Sequence, residues 1–492
     1  MERGDSSSGE DRISQLPDSI IHHILSFLSD TTYAVQTCVL SKRWRYLWTS
    51  LPVLKFSDEF HHRDSDVDDI DNVDGDLQDM CFVNRYIKFV DKVLTLRDNN
   101  SDIQIFHFQY SPSYNNPDEK SDRFVNTCIA AAASHNVQEL YVKIKPHNDL
   151  EFRLLSTCKS LTKLELELSG YDDGDYNNCS IICIPREISF PRLESLCMIL
   201  KFFPFDDEES TNKFFSSFPN LESLVIVFRG WSSGFRDMNL TISLPKLKCF
   251  SFKVEDQGYE INSVIKLYAP SLTSFICNSD MVTSFIVENL PSLVTAEIQI
   301  CVAASGREKE FYAQRTMGLL RGIRSVKVLT LNFSILKNLE LQTDQTCFSR
   351  DCLRWVFYIL KSFPDIESVS LRISQHHDEP LLDEYREEVK SYPENIRGDY
   401  WDAELSLPCM ICHLKFVEIN GLCGCADELK FLEILLKHAT VLEKLVVASD
   451  ATERDSQLEK RMAKFSEKLL KFPTASKKIL IFLKSSVLLD GL

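Results

Sequence analysis

The stretch CKSLTKLELEL, Cys158 to Leu168, decides the fold of this chain. Its leucines fall in the order L-x-x-L-x-L-x-L: Leu161, a gap of two, then Leu164, Leu166 and Leu168 in strict alternation. Successive side chains of a strand point to opposite faces. Leu164, Leu166 and Leu168 therefore share one side, and Lys163, Glu165 and Glu167 the other. One short strand of this kind covers nothing by itself. Its apolar face needs neighbours that carry the same face.

Working outward, those neighbours are present. NVQELYVKI precedes the stretch. FPRLESLCMI, FPNLESLVIVF, LPKLKCFSF, APSLTSFIC and LPSLVTAEIQI follow it, then IRSVKVLTLNF, FPDIESVSLRI, CHLKFVEING and ATVLEKLVVA. The first positions are Val137, Leu161, Leu193, Leu221, Leu247, Leu272, Leu293, Val326, Ile366, Leu414 and Leu442, often two residues after a proline. Their separations are 24, 32, 28, 26, 25, 21, 33, 40, 48 and 28 residues. The lower values match leucine-rich repeats of about 20–29 residues, and the higher ones imply insertions. The reading is a stack of parallel strands with helical or loop returns, folding as a unit because no repeat buries its own face. An ordinary α/β domain does not explain eleven copies. The asparagine usual after the third leucine is mostly missing, so less regular turns are expected. By alternation, Lys163, Glu165, Glu167, Glu297, Gln299, Ser370 and Arg372 face solvent and offer a shared binding surface; the substrate-binding residues themselves stay unknown.

Length and charge bound what such a stack does. The chain has 492 residues, 44% hydrophobic and 26% charged, an ordinary globular balance with ample material for a core. No run approaches eighteen consecutive apolar residues, so no membrane-spanning helix is expected. MERGDSSSGEDR has no apolar signal region, and residues 1–10 read as a disordered tail. The sixteen cysteines then read as reduced thiols of a cytoplasmic or nuclear protein. A net charge of −17 disfavours nucleic acid and anionic membrane as partners. Ser57 to Met80 alone holds ten acidic residues and one arginine, an acidic linker too poor in apolar residues to pack. It is no EF-hand: with Gly75 at the turn, Ile70 and Cys81 fall where carboxylates are needed. After it, CFVNRYIKFVDKVLTL reads as an amphipathic helix and IQIFHFQY as a strand. Gln375 to Glu404 is a polar insertion.

A search for chemistry finds no catalytic constellation. GxGxxG, the P-loop, GxSxG and HExxH are absent. His376-His377-Asp378-Glu379 has the wrong spacing for a metalloprotease. Cys409 and Cys412 have ligand-like spacing, and with His413, Cys423 and Cys425 they raise zinc. Cys423-Gly-Cys425 does not complete a ribbon, so no metal and no cofactor are expected.

Ahead of the stack lies LPDSIIHHILSFLSDTTYAVQTCVLSKRWRYLW, Leu16 to Trp48. Pro17 and Asp18 open a helix whose Ile20, Ile24, Leu25 and Leu28 form an apolar stripe. A second run follows through Val35, Cys38, Val39 and Leu40, and Ser41 caps a third carrying Trp44, Leu47 and Trp48. So small a unit cannot enclose these side chains. Burying the four aliphatics is worth roughly 6–12 kcal/mol gross, against an association cost of about 4–15 kcal/mol. One stripe is marginal, so the second helix has to share the interface.

Leu16-Pro17, Ile20, Ile24-Leu25, Leu28, Val35 and above all VLSKRWRYLW resemble the F-box of plant F-box/leucine-rich-repeat proteins. LPCMICHLKFVEINGLCGCADELKFLEILLKHATVLEKLVV with FSEKLLKFPTASKKILIFL resembles the FBD domain that accompanies such F-boxes. The resemblance implies an α/β chain: a three-helix F-box at 11–56, the acidic linker at 57–80, and leucine-rich repeats at 81–404. An FBD-like segment at 405–483 would cap the stack, with a tail at 484–492. It further implies that Leu16, Pro17, Ile20, Ile24, Leu25, Leu28, Val35 and Cys38 bind a Skp-type adaptor, linking through it to cullin and RING subunits. The repeats would then hold a protein substrate for ubiquitination, and the chain itself is not an enzyme. Two alternatives compete: a ligase-independent repeat scaffold with a vestigial F-box, and a module that merely caps the repeat stack.

Overall fold

Each of five proline-bearing copies opens with the same tight turn. In the computed structural model, the amides of Leu193, Leu221, Leu247, Leu272 and Leu293 bond the carbonyls three residues earlier at 3.0–3.3 Å. Pro191, Pro219, Pro245, Pro270 and Pro291 sit at the first corner of these turns, where their fixed φ fits. Both ends of each turn are buried, Phe190 with Leu193 for example. In all eleven copies the strand begins two residues after the first position, which is itself buried.

The structure describes residues 13, 15–59, 75–110, 119–144, 152–155, 158–168, 189–200, 208–229, 239–255, 264–279, 284–287, 290–303, 315–316, 318–336, 356, 360, 363, 365–374, 411–422, 424–449 and 456–484. The polar insertion, most of the acidic linker, Cys409 and Cys423 lie outside them. Packing divides the chain into two units, Met1–Arg236 and Asp237–Leu492.

The first unit starts with helices α1 (Asp18–Ser26), α2 (Thr31–Gln36) and α3 (Trp44–Leu47). Strands and returns then alternate: β1 (Val53–Ser57), α4 (Gly75–Leu96), β2 (Ile105–Tyr110), α5 (Glu119–Ser134), β3 (Glu139–Ile144), α6 (Phe152–Leu155), β4 (Lys163–Leu168), β5 (Ser195–Leu200), α7 (Glu208–Ser216) and β6 (Ser223–Phe228). The strands pair in chain order and all are parallel. Leu54, Phe106, Leu140, Leu164, Leu196 and Leu224 stand in register as one buried column. Phe56, Phe108, Val142, Leu166, Met198 and Ile226 form the next. Two copies therefore precede those read from the sequence: Leu51 and Ile103 are buried anchors two residues ahead of β1 and β2.

The second unit runs β7 (Asn239–Ser243), β8 (Cys249–Val254), β9 (Val264–Tyr268), β10 (Ser274–Asn278), β11 (Ser284–Val287), β12 (Thr295–Ala303), β13 (Val328–Leu336), β14 (Ser368–Ser374), β15 (Phe416–Leu422), α8 (Ala426–His438), β16 (Lys444–Ser449), α9 (Ser456–Leu469) and β17 (Leu480–Lys484). Its main sheet has the order β8-β10-β12-β13-β14-β15-β16-β17. The returns β7, β9 and β11 form a second parallel sheet, where helices or loops are the expectation. These three returns coincide with separations of 26, 25 and 21 residues. A coil that short leaves too few residues for a multi-turn helix, while a strand climbs about 3.3 Å per residue.

The turns are also more regular than the missing asparagines predict. In successive coils, one carbonyl accepts two amides of the next coil: Thr162 takes Glu194 and Ser195 at 2.8 and 3.1 Å, and Glu194 takes Glu222 and Ser223 at 2.8 and 2.9 Å. The bond repeats in the second unit, where Glu367 takes Lys415 and Phe416. Backbone replaces the side-chain ladder.

Candidate functional site

The N-terminal module is built around two polar clamps. Asp30 precedes α2 and accepts the Thr32 amide on Oδ1 at 2.7 Å, a regular helix cap. Its Oδ2 accepts the amide of Ser57, at 3.0 Å. Thr31 Oγ1 accepts the amide of Lys55 at 2.8 Å, and Lys55 Nζ donates to the carbonyls of Ser26 and Leu28, each at 3.0 Å. The amides of Lys55 and Ser57 lie on the side of β1 away from β2, where a first strand has no neighbour to bond. Two side chains of the module thus serve as the missing strand.

Arg97, at the end of α4, is the second clamp. It is buried and donates to the carbonyls of Leu51 (2.7 Å), Ser101 (3.1 Å) and Asp102 (2.9 Å). Burial lowers its pKa to about 10, which still leaves it a cation at neutral pH. It joins the turn before β1 to the turn before β2.

These clamps set which face of the module turns inward. Ile21, Leu25, Ala34, Trp44, Leu47 and Leu51 are buried. His22 Nε2 meets the Leu47 carbonyl at 3.0 Å, tying α1 to α3. The outer face stays apolar: Val39 is 83% exposed, Phe27 74%, Leu40 64% and Ile13 59%, with Ile20, Ile24, Tyr33 and Tyr46 also exposed. Arg43 Nη2 donates to the Leu16 carbonyl at 2.5 Å and pairs with Asp18, pinning the segment that leads into α1. Pro17 occupies the position just before α1 rather than its first turn.

Of the expected docking residues, Pro17, Ile20 and Ile24 are exposed, and Leu16, Leu28, Val35 and Cys38 are half-buried. Leu25 is the correction. It is 6% exposed and lies on the inner face with Ile21. SIIHHILSF is apolar on two sides, and the spacing Ile20, Ile24, Phe27 defines the outer one. Phe27, Val39, Leu40 and Tyr46 are exposed as well. Phe27 was legible from that seven-residue spacing, whereas Tyr46 gives no signal in the sequence.

The other candidates resolve into structure. Cys425 precedes α8, where its side chain and that of Glu428 cap the helix; Glu428 Oε2 accepts the amides of Gly424 and Cys425 at 2.8 and 3.1 Å. Among the described residues no group of metal-ligating side chains forms. On the strand faces, Glu167 is held by Arg229 (3.0 Å) and Lys143 (3.7 Å), and Glu297 by the Asn332 amide (2.8 Å). No described helix is long and apolar enough to cross a membrane.

A three-helix module with a bare apolar outer face thus stands ahead of parallel leucine-rich coils, the arrangement that the sequence resemblance implies. Comparison with known families agrees. The F-box domain family matches residues 13–56 and the FBD family residues 406–447. An F-box/FBD/LRR-repeat protein of Arabidopsis thaliana is 26% identical over 91% of this chain and 90% of its own length. Two FBD-associated F-box proteins of the same plant are 25% and 28% identical, covering 88% and 93% of this chain and 98% and 96% of theirs. Segments of this chain thus match the F-box and FBD domain families, and along most of its length it is similar to plant F-box/FBD/LRR-repeat proteins.

Proposed function

We propose that this chain is the substrate-recognition subunit of a Skp–cullin–F-box ubiquitin ligase. F-box domains generally bind Skp-type adaptors, and the matched residues 13–56 contain the whole exposed face. One observation carries the reading: the module's inner side is spent on β1, yet six large apolar side chains remain open on the outer side. Scaled by their exposure, Ile13, Ile20, Ile24, Phe27, Val39 and Leu40 are worth about 6–11 kcal/mol gross when covered. That lies on the scale of the association cost, so Tyr33, Tyr46 and rim contacts have to add to it. The adaptor would recruit cullin and RING subunits in the cytoplasm or nucleus, and the strand faces would hold a protein substrate. The chain contributes no bond-making group; its effect is proximity, raising the effective concentration of substrate lysines.

Co-expression with a Skp-type adaptor tests this. The wild type is expected to co-purify, whereas Val39→Asp combined with Leu40→Asp should lower recovery about a hundredfold. Leu16→Ala with Pro17→Ala should weaken it less. Leu25→Ala should act through stability instead, seen in thermal melts. Equal recovery of wild type and the Asp pair would overturn the reading and favour a ligase-independent scaffold.

A further inference from the structure

The second unit ends on a strand that nothing among the described residues covers. β17 pairs only with β16, through the Leu480 amide and the Glu443 carbonyl at 2.9 Å. In a parallel ladder alternate residues bond to opposite sides, so the amides and carbonyls of Ile481 and Leu483 point away from the sheet. Ile481 and Leu483 continue the buried columns of Leu445 and Val447, yet they are half-buried and exposed respectively. Leu480, Phe482 and Leu470 are exposed beside them. A flat apolar edge of this kind is ordinarily blunted by charge, proline or a covering element.

The charge around it is anomalous for this chain. Residues 456–484 carry eight Lys/Arg and two Asp/Glu, a net of +6 within a protein of −17. Lys460, Arg461, Lys464, Lys468, Lys471, Lys477 and Lys478 are exposed, and the one described anion among them, Glu467, is bound by Lys471 at 2.6 Å. An outer edge with no strand beyond it among the described residues, two open core positions and the exposed Lys477 and Lys478 just ahead of the strand select one kind of occupant.

We propose that the outer edge of β17 is a strand-addition site for an extended segment of a partner protein that alternates acidic and aliphatic residues. The segment's backbone would complete the bonds of Ile481 and Leu483, its aliphatic side chains would extend the two buried columns, and its carboxylates would meet the lysines. This surface is separate from the F-box face, and the proposal stands whether or not that face docks an adaptor.

The test is fluorescence anisotropy of the full chain with a labelled octapeptide of alternating valine and glutamate. Saturable binding is expected. It should fall about tenfold for Lys477→Glu with Lys478→Glu, both exposed, and also with rising salt. It should vanish when every second amide of the probe is N-methylated, or when lysine replaces glutamate. Equal binding of the N-methylated probe overturns strand addition. So does tighter binding of anionic phosphatidylserine vesicles or duplex oligonucleotide. Binding that appears only after truncation behind Lys484 assigns the edge to the chain's own last residues and overturns the proposal. Self-association that the lysine variants abolish assigns the edge to a second copy and overturns it equally.

Discussion

The first and last strands of this protein face the same physical problem and meet it differently. β1 has its outward amides bonded, Lys55 to Thr31 Oγ1 and Ser57 to Asp30 Oδ2, at the start of α2. β17 pairs with β16 on one side and has no strand on the other among the described residues, and Leu480, Phe482 and Leu483 on it are exposed. Both edges are apolar and parallel, so strand chemistry does not separate them. The difference lies in what the preceding residues supply: an acceptor-bearing loop at Asp30 and Thr31, against a cationic helix and turn before Leu480. The N-terminal module therefore covers the edge of β1 and still leaves an apolar outer face open, so capping and the proposed docking are not exclusive.

The contrast breaks first at Arg97. Arg97→Met leaves the carbonyls of Leu51, Ser101 and Asp102 without their buried donor, and should cost about 3 kcal/mol in urea unfolding. An unchanged midpoint would mean that the module is not held by this clamp. Asp30→Ala removes both the α2 cap and the Ser57 acceptor, for about 2 kcal/mol, and Thr31→Val the Lys55 acceptor, for about 1 kcal/mol. Hydrogen exchange sharpens the point: both variants should speed the amides of Lys55 and Ser57, whereas Ile481 and Leu483 should exchange fast in the wild type already. At the bare edge, Leu483→Glu should shift stability by less than about 0.5 kcal/mol. A large loss there would show the edge to be covered.

The smallest effect is on pH. His107, on the outer face of β2, has its pKa lowered by burial and by Lys55 and Lys163. Its charged form is disfavoured in the fold, so the unfolded chain takes the proton first. Stability is then full above the ordinary imidazole range, near about 6.5, and is lost as pH falls through it. His107→Gln should flatten the melting temperature between neutral and mildly acidic pH.

Much of the fold was written in the pattern that Leu161 to Leu168 displays, because period-two alternation behind an apolar anchor has few other solutions. Every anchor read from it is buried, and every strand starts two residues later. The copies at Leu51 and Ile103 were not counted among the repeats: LPVLKF was taken into the N-terminal module, and IQIFHFQY was read as a lone strand after a helix. The return strands escaped because TIS, VIKLY and SFIV are short and alternate weakly. The exposed apolar face of the N-terminal module was half legible. Helical spacing identified Ile20 and Ile24, but a helix apolar on two sides does not announce which one its own domain will claim. That choice is made by Asp30, Thr31 and Lys55, polar residues whose role depends on a strand that has yet to form. The FBD-matched segment, expected to cap the stack, contributes β15 and the start of β16 near the C-terminal end of the sheet. Nothing in its leucine pattern distinguishes an ending from another coil.

The way β1 belongs to both the F-box match and the first coil has a consequence for exchanging modules. Among the described strands of the first unit β1 comes first in the chain, and the residues just before it supply the acceptors for its outward amides. A swap of this N-terminal module between relatives must therefore cut downstream of Ser57, so that β1 travels with the residues that cover its outer edge.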